Sequence, residues 1–352
     1  MSSTKNNKEL VRATGLNRVY GNHHAVINVD LVLRKGEVLG LLGPNGAGKS
    51  TTMQMLTGNI SPTSGEIKIN GVDLLDNPQQ AKASIGYLPE QPPVYRDMTA
   101  MEFLSYCAAL RDIPKSSRKQ AIQTALQRCS LEDVANKLTG NLSKGFQQRV
   151  GIAQAILHNP EVIILDEPTV GLDPIQINEI RDLIRELGND HSVILSTHIL
   201  PEVQAVCDRV QIINQGETVF SDTFDKLSKR QSVPALIVDF TGDIKVDTKN
   251  EVKPDSNKVS SLEVLQNLTG IESVEAIETS GANQRFKLKF KDKLNASTVA
   301  DLASKQGWQL NELTPQSETL EQIFMNLIHG EKSIDTKQQS KQQAVSNKEA
   351  AA

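Results

Sequence analysis

Residues 43–50 read Gly-Pro-Asn-Gly-Ala-Gly-Lys-Ser, between an apolar run at 38–42 and a stretch of helical character at 51–57. This order predicts a buried strand, a glycine-rich turn and a helix. Such a turn presents backbone N–H groups to an anion, and the helix dipole adds about half a positive charge. The spacing G-x-x-x-x-G-K-S is that of a P-loop, and it predicts a phosphate site in an α/β domain.

The lysine and serine of this motif extend the prediction to a nucleotide and a metal ion. Lys49 can reach the β and γ phosphates of ATP, and the hydroxyl of Ser50 can bind Mg²⁺. The predicted nucleotide-binding residues of this stretch are Gly43, Pro44, Asn45, Gly46, Ala47, Gly48, Lys49, Ser50 and Thr51.

An acidic pair, Asp166 and Glu167, follows a second apolar run at 162–165. Active sites of open α/β sheets lie at the carboxyl ends of such strands. ATP hydrolysis needs one carboxylate for the metal and one for the attacking water. We therefore assign Asp166 to Mg²⁺ and Glu167 to the water. The alternative, a solvated surface pair, is disfavoured by the apolar run before it.

The order of strands and helices predicts an α/β domain over residues 10–230. Short strands at Val26–Leu33 and Gly65–Gly71 predict an antiparallel β edge beside the nucleotide. Helical spacing over Met98–Cys129 predicts a helical subdomain at about 92–158. One face of its first helix carries Phe103, Leu104, Cys107 and Leu110.

Composition indicates a soluble chain with more than one domain. The 352 residues exceed the size of most single cores, and the net charge of −4 gives no indication of nucleic acid as a partner. No apolar stretch approaches the roughly 18–20 residues that span a bilayer, and the polar residues 1–9 are not a signal peptide. Cys107, Cys129 and Cys207 lack paired spacing, which fits a reducing compartment. We expect a cytoplasmic protein.

Two further segments are Leu142-Ser-Lys-Gly-Phe-Gln-Gln-Arg149 and Ser196-Thr-His198. Together with the P-loop at 43–50 and the apolar run and acidic pair at 162–167, they make a set of four motifs. From residue 10 to about 225 the set resembles the ATP-binding subunit of an ABC transporter, similar to those of type-2 ABC exporters and gliding-motility-like systems. The resemblance implies a P-loop NTPase fold, ATP and Mg²⁺ as cofactors, and a homodimer or pseudo-dimer that encloses two nucleotides.

The resemblance also implies that the segment at 142–149 serves the ATP of the partner subunit. Ser143 would cap the following helix, and the N–H of Gly145 would face the γ-phosphate across the dimer interface. Lys144 and Phe146 depart from the glycine and glutamine usual in the family, and this puts their own contacts in question.

Four more residues receive roles by resemblance alone. Tyr20 would stack on adenine, for which an ordinary edge-strand tyrosine is the alternative. Gln91 would touch Mg²⁺ and water and link the site to the helical subdomain, so that the metal set would be Ser50, Gln91 and Asp166. Asp173 would contact the other subunit. His198 would contact the γ-phosphate and hold the water and Glu167 in position.

A second domain is predicted at 234–328, where the phosphate-binding signals end. Its segments read as strand, helix, strand, strand, helix and strand, an order that suits a small ferredoxin-like α+β unit. The segment Thr319–Ile328 resembles the closing helix common in ATPases of type-2 exporters. We expect residues 1–9 and 331–352 to be disordered, with a partner-binding segment as the alternative for the second stretch.

The sequence thus predicts an ATPase that powers transport, in the direction of export, through a separate polytopic membrane permease. It would lie in the cytoplasm, peripheral on the inner face of the membrane. The alternative is a soluble ABC ATPase that acts on ribosomes or DNA. That class is expected to join two ATPase units or to carry a long coiled-coil insertion, and neither is evident here.

Overall fold

The computed structural model describes residues 8–230, 235–241, 261–268, 270–280, 283–290, 296–316 and 319–330. The chain divides into two compact units between Phe224 and Asp225. The predicted tail at 331–352 lies outside the described residues. The prediction of a disordered start at 1–9 is wrong for residue 9, because Glu9 begins a strand and pairs with Arg34.

The N-terminal unit alternates strands and helices. Its strands are β1 (Glu9–Tyr20), β2 (His23–Arg34), β3 (Val38–Leu42), β4 (Ser64–Ile69), β5 (Val72–Asp73), β6 (Ile85–Leu88), β7 (Val162–Asp166), β8 (Ser192–Thr197), β9 (Arg209–Asn214) and β10 (Glu217–Asp222). Its helices are α1 (Lys49–Leu56), α2 (Pro78–Ala83), α3 (Ala100–Leu110), α4 (Lys115–Arg128), α5 (Lys144–Ile156), α6 (Pro174–Asp190) and α7 (Leu200–Val206).

A six-stranded sheet in the order β10-β9-β3-β8-β7-β6 forms the centre of this unit. The five strands from β9 to β6 run parallel to one another, whereas β10 pairs antiparallel with β9. Strands β3, β7 and β8 are buried along their whole length, as continuous apolar runs require. Since β3, β8 and β7 are neighbours, the segments that follow them meet at one edge of the sheet.

The predicted antiparallel edge is a four-stranded sheet in the order β2-β1-β4-β5. Its long hairpin pairs Tyr20 with His23 at the turn and Val11 with Leu33 further along. The alternating apolar side chains of β1, β2 and β4 form one core cluster with the buried face of α1. The hairpin is therefore fixed beside the helix that opens the P-loop.

The predicted helical subdomain consists of α3, α4 and α5, with short 3-10 turns at Glu132–Val134 and Thr139–Asn141. A capping box between Thr99 and Glu102 starts α3. Phe103, Leu104 and Cys107 are buried as expected. Leu110 is not, because it ends the helix and is 64% exposed.

The C-terminal unit has the predicted ferredoxin-like order. It follows α8 (Phe224–Arg230), which spans the division, and consists of β11 (Ala235–Thr241), α9 (Ser261–Gln266), β12 (Ile271–Ser280), β13 (Asn283–Phe290), α10 (Ala296–Gln306), β14 (Gln309–Gln316) and α11 (Leu320–Gly330). The antiparallel sheet has the order β12-β13-β11-β14. Leu265 of α9 and Val299 of α10 pack with apolar strand residues in one core. Every helix in the described ranges is too short or too polar to cross a bilayer.

His158, between α5 and β7, makes the stability of the N-terminal unit depend on pH. Its Nε2 lies 3.0 Å from the carbonyl oxygen of Ile85. Burial, with a smaller contribution from Arg111, lowers the pKa of His158 from 6.5 to about 4. The fold keeps this imidazole neutral while the unfolded chain takes up a proton, so the free energy of unfolding falls as the pH drops from 6.5 toward about 4.

We therefore expect His158→Gln to lose less stability than the parent between about pH 7 and about pH 5. His24→Gln, at an exposed position, should lose as much as the parent. Urea unfolding at both pH values measures the difference. An equal loss in His158→Gln and the parent would contradict this role of His158.

Candidate active site

A cavity of about 530 Å³ lies at the carboxyl ends of β3, β7 and β8. The parallel strands deliver the glycine-rich loop, the acidic pair and His198 to this one edge, as the sequence predicted for such a sheet. Among the predicted site residues, those that line the cavity are Tyr20, Asn45, Gly46, Gly48, Lys49, Ser50, Thr51, Glu167 and His198.

The remaining loop residues shape the turn. A Cβ on Gly43 would come within 2.2 Å of the carbonyl oxygen of Ile213, so only glycine fits there. The carbonyl oxygen of Pro44 accepts a hydrogen bond from the N–H of Ala47, which is buried. Gly48 starts α1 with φ +102°, a left-handed conformation that glycine adopts without strain.

Lys49 and Glu167 form an ion pair at the base of the cavity. Nζ of Lys49 lies 3.2 Å from Oε1 of Glu167 and donates to the carbonyl oxygens of Gly43 at 3.0 Å and Pro44 at 3.3 Å. Lys49 is 5% exposed and Glu167 6%, so each neutralises a charge that would be costly to bury alone. Nδ1 of His198 lies 3.0 Å from the other carboxylate oxygen, Oε2.

The backbone holds Glu167 in an unusual conformation. Its φ is +48°, in the left-handed region that non-glycine residues seldom adopt. Its N–H donates both to the carbonyl oxygen of Ser196 at 3.2 Å and to the Ser196 hydroxyl at 3.1 Å. These bonds turn the chain at the end of β7 and direct the carboxylate toward Lys49.

Asp166 lies beneath the cavity at the last position of β7. Oδ1 of Asp166 accepts hydrogen bonds from the hydroxyls of Ser50, at 3.4 Å, and of Ser196. Burial raises the pKa of this carboxyl group, while both hydroxyls act in the opposite direction. The structure therefore brings together Ser50 and Asp166, two of the three residues predicted to bind metal.

The third, Gln91, does not line the cavity, whereas its neighbour Glu90 does. The charge of Glu90 also contributes to the raised pKa of Asp166. Sequence reasoning missed Glu90, although the pair Glu90-Gln91 offered two candidates at adjacent positions. It also missed His23, which pairs with Tyr20 across the hairpin turn. The signal that could have pointed to His23 was the position of this turn directly after Tyr20. Ala25 and Val170 complete the lining, and no signal in the sequence singled them out.

Ser143, Gly145 and Asp173 lie outside this cavity. Ser143 is the N-cap of α5, and its Oγ accepts a hydrogen bond from the N–H of Phe146 at 3.4 Å. Asp173 caps α6 in the same way, accepting from the N–H groups of residues 175 and 176 at 3.0 and 2.9 Å. All three thus mark the starts of two helices.

Lys144, the first departure from the family pattern, lies against the chain's own loop before α6. Its ammonium group covers Gly171, where a Cβ would come within 2.3 Å of Nζ. Gly171 has φ +71°, so a side chain there is disfavoured by the backbone as well. The long Lys144 side chain is therefore accommodated because residue 171 is a glycine and has no side chain. Phe146, the second departure, is 37% exposed.

Comparisons with known proteins indicate the family to which the chain is similar. A family model described as ABC transporter matches residues 26–170. The bacitracin transport ATP-binding protein BcrA of Bacillus licheniformis is 41% identical over 223 residues, which are 63% of this chain and 72% of that protein. The linearmycin resistance ATP-binding protein LnrL of Bacillus subtilis (strain 168) is 31% identical over 319 residues, 90% of this chain and 98% of that protein.

A solved structure of a dimeric cassette is also similar to this chain. The ATP-binding cassette MJ0796, in a dimeric post-hydrolysis state bound to ADP and Pi, matches with a TM-score of 0.55 and 26% identity. The match covers 60% of this chain and 98% of that one.

Proposed function

The chain belongs to the family of ABC transporter ATP-binding subunits, and from this premise we propose that two copies of it close around two Mg²⁺-bound ATP molecules to drive export through a separate membrane permease. ATP binding and hydrolysis are the family's activity. The observation that carries the assignment of the cavity to ATP is the cluster of Lys49, Glu167 and His198 within it.

Lys49 is the residue that couples ATP binding to the release of Glu167. Its ammonium group forms an ion pair with Glu167, with Nζ 3.2 Å from Oε1. Phosphate oxygens carry more negative charge than one carboxylate and make charge-assisted hydrogen bonds with lysine. Arrival of ATP therefore draws Lys49 from Glu167 and leaves that carboxylate to orient a water for in-line attack on the γ-phosphate.

His198 completes this arrangement. At 3.0 Å from Oε2 of Glu167 it restricts the rotation of the carboxylate after Lys49 has moved. Its ring also lines the cavity, which supports a contact with the γ-phosphate from the same position.

The oxygen ligands around Asp166 suit a magnesium ion. Mg²⁺ is usually held by one or two carboxylates together with substrate phosphates and water. Ser50, Asp166 and Glu90 offer one hydroxyl and two carboxylates near the cavity. The described residues contain no cluster of three or more His, Cys, Asp or Glu side chains that would hold a metal alone, which fits an ion that needs ATP for its remaining ligands. The ion would neutralise charge on the phosphates. We assign to Glu90 the place for which Gln91 was predicted.

The starts of α5 and α6 would form the second half of each site in the dimer. Ser143 and Gly145 begin a helix whose free N–H groups attract phosphate. Asp173, six residues beyond Glu167, would contact the partner subunit. Their position outside the lining of the chain's own cavity supports a role toward the nucleotide of the other copy.

Ser143→Arg tests this arrangement. The arginine side chain would occupy the space between α5 and the partner's ATP, so we expect ATP binding to remain and ATP-dependent dimerisation to be lost. Loss of the cap also costs about 1 kcal/mol of stability, which thermal unfolding would report separately. Light scattering with and without ATP, in a Glu167→Gln background, measures the dimer.

Ser117→Arg places the same charge on an exposed position of α4 and should dimerise like the parent. Unchanged dimerisation of Ser143→Arg would remove this surface from the proposed interface.

The transport role rests on the family and on its named relatives. LnrL, which matches along nearly its whole length, is named for linearmycin resistance, and this supports export. The chain would then work on the cytoplasmic side of the membrane, bound to its permease.

Affinity purification from detergent-solubilised membranes tests the assignment. We expect a polytopic membrane protein to co-purify in stoichiometric amount with the parent chain. Co-sedimentation with ribosomes in the absence of membranes would favour the alternative, a soluble ABC ATPase.

A further inference from the structure

The guanidinium group of Arg18 lies against the ring of Tyr20, which forms the aromatic wall of the cavity. Cζ of Arg18 lies 4.5 Å from the centroid of the Tyr20 ring. Tyr20 lines the cavity and is 44% exposed, whereas Arg18 does not line it. Since Arg18 does not line the cavity, we assign the ring face under the guanidinium group to the side away from the cavity and the other face to the ligand.

The segment that follows α1 holds Arg18 in this position. Nη1 of Arg18 donates a hydrogen bond of 2.9 Å to the carbonyl oxygen of Ser61. Two more bonds tie the same segment to β1, because the N–H of Thr63 donates to the carbonyl oxygen of Asn17 at 2.7 Å and the N–H of Val19 donates to the Thr63 hydroxyl at 3.1 Å. Nε of Arg18 is buried and has no hydrogen-bond partner among the described residues, so the ring and Ser61 account for its placement.

This arrangement links both ends of the nucleotide site to one helix. Helix α1 begins with Lys49 at the phosphate end of the cavity. The chain beyond its last turn reaches Ser61, which supports Arg18 and through it the Tyr20 ring. Lys49 and the support of the Tyr20 ring thus lie on one continuous stretch of chain, thirteen residues long.

We infer that Arg18 is a positioning residue for the nucleotide base, acting through Tyr20 without touching the ligand. The inference rests on the proposed assignment of the cavity to ATP. A cation on one face of a ring attracts its electrons and restricts its rotation. A ring that is already held in place loses less conformational entropy when a base stacks on its free face. The ligand recognised in this way is a nucleoside triphosphate, and a polyphosphate without a base gains nothing from Arg18.

Isothermal titration calorimetry with two ligands separates these contributions. The ligands are a non-hydrolysable ATP analogue and inorganic tripolyphosphate. We expect Arg18→Met to weaken binding of the analogue about three- to tenfold and to leave tripolyphosphate binding unchanged. Arg18→Lys, which keeps a cation, should recover part of the loss. In a Tyr20→Ala background, Arg18→Met should cause no further loss.

The chain provides a matched control on the same strand. Arg12 is paired with Glu9, with Nε 2.6 Å from a carboxylate oxygen, and does not line the cavity. Arg12→Met should bind both ligands like the parent.

Two results would overturn the inference. Equal weakening of both ligands by Arg18→Met would mean a general distortion of the site, and an undiminished effect in the Tyr20→Ala background would mean that Arg18 does not act through the ring. A parent chain that binds neither ligand would instead refute the ATP assignment itself, so the two failures can be told apart.

Discussion

Glu167→Gln is expected to slow ATP hydrolysis by at least a hundredfold, which corresponds to about 2.7 kcal/mol at the chemical step. Glutamine keeps the size and the hydrogen-bonding capacity toward Lys49 and His198 but cannot attract a proton from the attacking water. ATP should still bind, so that the variant accumulates as an ATP-loaded dimer. Phosphate release assays and light scattering with ATP measure the two effects.

An exposed glutamate provides the control for this variant. Glu132, in the helical subdomain, is exposed and lies outside the cavity, and Glu132→Gln should hydrolyse ATP like the parent. If Glu167→Gln hydrolyses ATP as fast as the parent, another group must orient the water, and the assignment of Glu167 is wrong.

Lys49→Ala is expected to abolish productive ATP binding. Hydrogen bonds to charged groups contribute about 1.5–3 kcal/mol each, so removal of a lysine proposed to bind two phosphates should lower the affinity for ATP by more than about a hundredfold. The same change leaves the Glu167 carboxylate, only 6% exposed, without its cation. The nucleotide-free variant should therefore unfold at a lower temperature than the parent, because one partner of a buried pair has been removed.

Binding of a fluorescent ATP analogue and thermal unfolding test these two effects separately. Lys68→Ala, at an exposed position on β4, should change neither. Tight ATP binding by Lys49→Ala would contradict the proposed role, and unchanged unfolding would show that the ion pair does not contribute to stability.

Local patterns were enough to predict the parts of the site that depend on neighbours in sequence. The glycine-rich turn between β3 and α1 is encoded within residues 38–57, since the strand, the turn and the helix each have their own signal. The acidic pair after β7 was predictable for the same reason. The prediction that the turn and the acidic pair lie close together followed from the rule that parallel strands present their carboxyl ends at one edge of a sheet.

Other features depend on register or tertiary contacts that a pattern does not contain. Which of Glu90 and Gln91 reaches the cavity depends on a shift of one residue after β6, and such a shift reverses the direction of a side chain. His23 enters the site because the hairpin pairs it with Tyr20. Leu110 has the periodicity of a buried residue, yet it ends α3 where nothing covers it.

One hydroxyl group on β8 serves both members of the acidic pair. Ser196 donates to the carboxylate of Asp166 and accepts from the N–H of Glu167. The Asp166 carboxylate proposed for the metal and the backbone of Glu167, whose carboxylate is proposed for the water, therefore share one hydroxyl on a neighbouring strand. A displacement of β8 relative to β7 would disturb the positions of both residues at the same moment.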